Sequence, residues 1–137
     1  MDAAEYGILL AQKYDANLIA LYASPKIISS EYYEDNDIRT NKSVLGGGIA
    51  ELPRHEIEEK SFSKIKEKCK QNNVRVITEV VISKKSVAAD IIDYAENNNV
   101  NLIVIGTKGR TGFKRLLLGS VASAVVTYAH CPVMVVK

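Results

Sequence analysis

The sequence predicts an α/β domain: an open, mostly parallel twisted sheet held between helices. Three observations carry this. Stretches with apolar residues three and four apart alternate with short runs of β-branched and aliphatic residues along the chain. Those runs, Leu18–Ala23 and Leu102–Ile105 above all, are apolar at every position, as strands covered on both faces are. Strands separated by helix-length segments join through right-handed crossovers, which makes neighbouring strands parallel.

The elements follow in order. From Ala3 to Tyr14, residues Ala4, Ile8, Leu9 and Ala11 fall along one side of an amphipathic helix, which Asp15-Ala16-Asn17 ends. Leu18–Ala23 is the first strand, closed by Ser24-Pro25. Residues 26–50 lack periodicity, combining Glu31, Glu34, Asp35 and Asp37 with the run Gly46-Gly47-Gly48, and read as a long flexible connection. A second helix runs from Pro53 to Gln71, with Ile57, Phe62, Ile65 and Cys69 on its buried side and Pro53 in the first turn, until Asn72-Asn73 breaks it. Val74–Ile82 is a β-branched strand. Ser86 caps a helix over Val87–Asn97 that turns Ala88, Ile91, Ile92 and Ala95 to the sheet, and Asn97-Asn98-Asn99 ends it. Leu102–Ile105 leads into Gly106. A last helix covers Gly119–Ala129, and Pro132–Val136 is the final strand, with proline at its start.

At 137 residues, 47% hydrophobic and 25% charged, the chain is expected to be a single domain over its whole length. A formal net charge of +2 does not point to nucleic acid or a membrane surface, which call for basic residues gathered on one face. No apolar run reaches the roughly 18 residues of a membrane span. Met1-Asp2-Ala3-Ala4-Glu5 resembles no signal peptide. Cys69 and Cys131 form no CxxC or metal spacing, which suits a reduced setting. A cytoplasmic protein is the expectation.

Chemistry concentrates in the segment from Gly106 to Ser120. Its glycines at 106, 109, 112 and 119 permit positive φ and close approach to the backbone. The helix behind Gly119-Ser120 offers unpaired N–H groups and the positive end of its dipole. Lys108, Arg110, Lys114 and Arg115 gather positive charge in a nearly balanced chain. Ligands of open α/β sheets bind beyond the carboxyl ends of the strands, and Gly106 stands at such an end. An anionic ligand follows. The same residues also fit a ligand-free reading, in which the glycines make a turn, the basic residues decorate a loop and Ser120 caps the helix.

The pattern Gly106-x2-Gly109-x9-Gly119-Ser120, together with the ending Cys131-Pro132-Val133-Met134-Val135-Val136, resembles the universal stress protein (UspA-like) family, in its ATP-binding branch. The resemblance covers nearly the whole chain. It implies an adenine nucleotide alpha hydrolase-like, Rossmann-like fold and an ATP-binding regulatory module in stress response. It implies that Gly106, Thr107, Lys108, Gly109, Arg110, Thr111 and Gly112 wrap the ribose and phosphates, that Gly119, Ser120 and Val121 meet the phosphates, and that Ala23 lies near the adenine. It also implies ATP as the ligand, with Mg or Mn in some members, and a homodimer through Val133–Val136. In the family a strand ending in a nucleotide-contacting aspartate precedes the first helix; Met1–Ala4 aligns with the helix start, so Asp2 is not that aspartate, and the first strand is expected to be absent from this chain. Met1 is then expected to be an internal methionine of a longer product, or the chain a truncated form.

Other candidates are weaker. His55 and His130 have no acidic or cysteine partner at catalytic spacing, and the acidic run from Glu31 to Asp37 lacks the ligand spacing of a calcium loop. Tyr32 and Tyr33 fit either a cover over the nucleotide or packing of the loop. No general base or nucleophile accompanies the glycine segment, so slow ATP hydrolysis aided by Lys108 or Arg110 is the most these residues support. The competing readings are a family member that has lost nucleotide binding and acts as a dimerisation module, and an enzyme of related adenylate-forming or electron-transfer families, which would need a catalytic loop the sequence does not display.

Overall fold

The structure, a computed structural model, describes residues 1–24, 54–107 and 118–137. In chain order these form α1 (Ala3–Tyr14), β1 (Leu18–Ser24), α2 (Arg54–Gln71), β2 (Val76–Ile82), α3 (Val87–Asn97), β3 (Ile103–Gly106), α4 (Ser120–Tyr128) and β4 (Val133–Val136). The connection at 26–50, with its acidic and tyrosine residues, lies outside the described residues, as do the side chains of His55 and Ile57.

Helix limits are written in local chemistry. Asp2 caps α1, its carboxylate accepting from the Glu5 N–H at 2.9 Å while the Glu5 carboxylate accepts from the Asp2 N–H at 2.9 Å, a reciprocal capping box. Ser86 caps α3 by accepting from the Ala89 N–H at 3.1 Å. Asp15, Asn73 and Asn99 follow α1, α2 and α3 with φ of 49°, 54° and 51°. Asp and Asn tolerate this left-handed conformation better than other residues with a Cβ, so the chain reverses there.

Every strand pairing is parallel. β1 pairs with β2 from Leu18↔Val76 to Ser24↔Ile82, and β3 with β4 from Ile103↔Val133 to Gly106↔Val136. Instead of one continuous sheet, the described strands form two parallel pairs, and β1 and β3 are not hydrogen-bonded to each other. Helices hold the pairs together: α1 packs on β1, β3 and β4, while α3 packs on β1 and on α4.

The core sits between α1, α2 and the β1–β2 pair. One cluster joins Ile8, Ala11, Cys69 and Val74, with Leu18, Ile65 and Val76 against it. A second joins Ala20, Phe62 and Val80, with Tyr22 alongside. Cys69 is fully buried and burial pushes its thiol pKa up, which makes it a packing residue. One expectation for α1 fails. Leu9 is 47% exposed, because the buried stripe runs through Gly7, Ile8 and Ala11 and leaves Leu9 at the rim of a groove with Glu5 and Lys68.

Lys68 of α2 donates to Glu5 of α1 across this groove. The hydrogen bond from Lys68, then that from the Asp2 N–H, holds the Glu5 carboxyl below its ordinary value of 4.5, and Glu5 raises Lys68 above its ordinary 10.5. The Glu5 contribution to stability is therefore present above pH 4.5 and lost as pH falls through the lowered folded-state value. The Lys68 contribution is present below 10.5 and lost as pH rises through its raised value. Glu5→Gln keeps an acceptor for the capping box and removes the charge. It is expected to melt below the parent protein at neutral pH, with the two melting curves converging well below pH 4.5; a gap that persists in acid would assign the effect to the cap instead.

Candidate functional site

The ends of the glycine segment are pinned by backbone hydrogen bonds. The Thr107 N–H donates to the Val136 carbonyl at 2.9 Å, carrying the β3–β4 ladder one residue past β3. The Thr107 carbonyl in turn accepts from the Gly119 N–H at 3.3 Å. The segment between therefore leaves β3 and re-enters at the N-terminus of α4 within one hydrogen bond of its starting point. These contacts join residues far apart in the chain, so spacing in the sequence could not reveal them.

Gly119 is the N-cap of α4, with φ −54° and ψ 156°, and no side chain caps the helix. The first bond of the helix runs from the Ser123 N–H to the Gly119 carbonyl at 2.8 Å. The N–H groups of Ser120, Val121 and Ala122 thus have no intrahelical partner, and they carry the positive end of the helix dipole. Ser120 is exposed at the first helical position, so the reading of Ser120 as the cap is corrected: a residue inside the helix cannot fold its hydroxyl back as an N-cap does. Its hydroxyl accompanies the three amides instead. The arrangement can bind an anion.

The glycines are needed for different reasons than φ. A Cβ on Gly119 would stand 3.2 Å from the Thr107 carbonyl oxygen, a tight contact that the backbone could relieve only by shifting a few tenths of an ångström, so the clamp favours glycine there. At Gly106 a Cβ would meet the Val136 carbonyl at an ordinary 4.0 Å. Neither position has positive φ, against the expectation from the sequence. A Cβ at Gly106 would thus be accommodated by the described residues.

The structure brings Gly106, Thr107, Gly119, Ser120 and Val121 together at the carboxyl end of β3. Lys108, Gly109, Arg110, Thr111 and Gly112 lie outside the described residues, as do Lys114 and Arg115. Ala23 is half-buried and next to last in β1, opposite Val81, and so belongs to the other strand pair. His130 is exposed in the turn before β4, and no group of three or more His, Cys, Asp or Glu side chains among the described residues could hold a metal ion. No helix among them is long and apolar enough to cross a membrane.

The model of the universal stress protein family matches residues 1–137. The chain belongs to the universal stress protein family. A universal stress protein of Methanocaldococcus jannaschii is 34% identical over 141 aligned positions, which cover 100% of this chain and 74% of that protein. Among solved structures, the universal stress protein UspA from Lactobacillus plantarum is 25% identical and superposes with a TM-score of 0.68 over 98% of this chain and 87% of its own. A universal stress protein from Archaeoglobus fulgidus, solved in complex with dAMP, shares the fold at 18% identity, with a TM-score of 0.57 over 98% of this chain and 85% of its own. The α/β architecture read from the sequence is thus the architecture of universal stress proteins, and the glycine segment that carried the resemblance is the one pinned between β3 and α4.

Proposed function

We propose that this universal stress protein is an ATP-binding regulatory module of the stress response. The observation that carries the reading is the N-terminus of α4: three N–H groups without an intrahelical partner and the Ser120 hydroxyl, held beside Thr107 by a glycine at which a Cβ would make a tight contact. Gly106 and Thr107 on one side and Gly119, Ser120 and Val121 on the other would hold the phosphates. Lys108, Gly109, Arg110, Thr111 and Gly112 would wrap the ribose and phosphates, and Ala23 would face the adenine. The dAMP bound by the Archaeoglobus protein supports an adenine nucleotide as the ligand class. A divalent Mg or Mn ion would neutralise the phosphates when bound. The protein is read as cytoplasmic and as a homodimer through Val133–Val136, whose outer edge has no strand partner among the described residues and would pair with its counterpart. Turnover is not the reading's strength, and at most slow hydrolysis fits the residues.

A second reading, a dimerisation module that has lost nucleotide binding, is favoured by one observation: Ala23 and Gly106 stand on strand pairs that are not bonded to each other. Calorimetry with ATP, ADP and AMP, with and without Mg or Mn, separates the two. Binding of ATP in the micromolar range, about −8 kcal/mol, is expected; no heat with any nucleotide, from a protein that still dimerises, would leave the second reading standing.

A further inference from the structure

Asp90, in the first turn of α3, carries a polar atom that the fold leaves unused. One oxygen of its carboxylate is enclosed and has no hydrogen-bond partner among the described residues. Enclosed polar atoms in folded proteins are paired almost everywhere, so this acceptor calls for a donor that the described chain does not supply.

Side-chain alternation tells which face of the strands α3 covers. Ala20 of β1 packs with Phe62 of α2, and Leu18 lies against the cluster of Ile8 and Cys69. The even-numbered side chains of β1 therefore face α1 and α2. Those of Ile19, Leu21 and Ala23 face the opposite side, which is left to α3, the remaining helix that packs on β1. The parallel register extends this face to β2, with Leu21 beside Glu79 and Ala23 beside Val81.

The height of Asp90 along the strands follows from α3 itself. Burial, and then the Glu79 charge, pushes the Tyr94 phenol pKa up, so Tyr94 lies close to Glu79. α3 starts just beyond the carboxyl end of β2 and reaches the level of Glu79 at Tyr94, so it runs back along the strand. Asp90 stands on the same side of α3 as Tyr94, about one turn or 5.4 Å nearer the carboxyl end. That is somewhat under two residues of strand, which brings Asp90 level with Val81 and its register partner Ala23. α3 also packs on α4, so the helix that carries Asp90 borders both ends of the proposed nucleotide site.

We infer that Asp90 is a base-selecting residue of the nucleotide site, its enclosed oxygen accepting a hydrogen bond from the 6-amino group of adenine. The inference rests on the proposed nucleotide reading, in which Ala23 faces the adenine. A carboxylate accepts hydrogen bonds and does not donate them. Adenine presents an amino donor at position 6, where guanine presents a carbonyl oxygen that would leave the Asp90 oxygen unpaired. Ala23, half-buried at the same level, adds only a methyl group and leaves room for a flat base.

The test compares ATP with purine riboside triphosphate, which differs from it only in lacking the 6-amino group, by titration calorimetry. The parent protein is expected to prefer ATP by at least about ten-fold, because without the amino group the Asp90 oxygen stays unpaired. In Asp90→Ala the preference should fall to about two-fold or less, with circular dichroism to confirm the fold; alanine suits a helix, so α3 should persist. Asp90→Asn keeps an acceptor oxygen and is expected to keep most of the preference. Equal binding of the two nucleotides by the parent would overturn the inference without any variant. A folded Asp90→Ala protein with the parental preference would do the same, as would an Asp90→Asn protein that loses the preference as completely as Asp90→Ala. No binding of either nucleotide would overturn the nucleotide reading itself and this inference with it, whereas ATP binding without the preference overturns this inference alone.

Discussion

Replacing Gly119 with Asp is expected to reduce ATP affinity by at least about 100-fold, near 3 kcal/mol. Two effects act together. The new Cβ would lie 3.2 Å from the Thr107 carbonyl oxygen, a backbone atom that can move only by loosening the hydrogen bond that closes the glycine segment. The carboxylate would also stand at the start of α4, where it would occupy the unpaired amides and repel phosphate. Gly119→Ala separates the two, since it adds the Cβ without the charge, and a loss of about ten-fold or less is expected from it. Both variants are measured by titration calorimetry, with circular dichroism to confirm that α4 and the fold persist. ATP binding by a folded Gly119→Asp protein at parental affinity would remove the α4 N-terminus from the phosphate site.

Phe62→Ala is expected to cost about 3–5 kcal/mol of stability, a large share of the roughly 5–15 kcal/mol that holds an ordinary domain together. Phe62 is 3% exposed in the middle of α2 and packs on Ala20 of β1 and Val80 of β2. Its ring ties α2 to both strands of the β1–β2 pair, and removing it leaves a cavity in the middle of that contact. The melting temperature should fall by about 10–20 °C. Phe62→Leu, which keeps most of the volume, is expected to cost about 1 kcal/mol. A Phe62→Ala protein melting within two or three degrees of the parent would mean that the cluster does not contribute as packed.

Much of the fold was legible because it is locally encoded. Ser86 was read as a cap from its place before an apolar periodic run, and it caps α3. Asp15, Asn73 and Asn99 lie in the breaks where the sequence ends three helices, and each takes up positive φ. Strand boundaries shifted more, from Val74 to Val76 and from Leu102 to Ile103 at their starts, because a strand begins where its partner allows a ladder rather than where its apolar residues begin. Leu9 misled because periodicity gives a side of a helix, whereas burial depends on which neighbours arrive; α2 covers Ile8 and leaves Leu9 beside Lys68.

The candidate site divides in the same way. The glycine spacing from Gly106 to Ser120 and the helix behind it sufficed to name the family and to mark the start of α4, since both depend on residues close in sequence. The sequence offered permitted positive φ and close backbone approach as reasons for glycine at 119, and Gly119 has φ −54°. The tertiary structure added a further one, the Thr107 carbonyl 3.2 Å from where a Cβ at Gly119 would stand. The sequence by itself determined the order of elements, the Ser86 cap and the family, all consequences of residues close together in the chain. Only the tertiary structure decided that the described strands form two parallel pairs with β1 and β3 unbonded, because pairing is a property of which edges meet, and α1 holds these two under one helix without joining them.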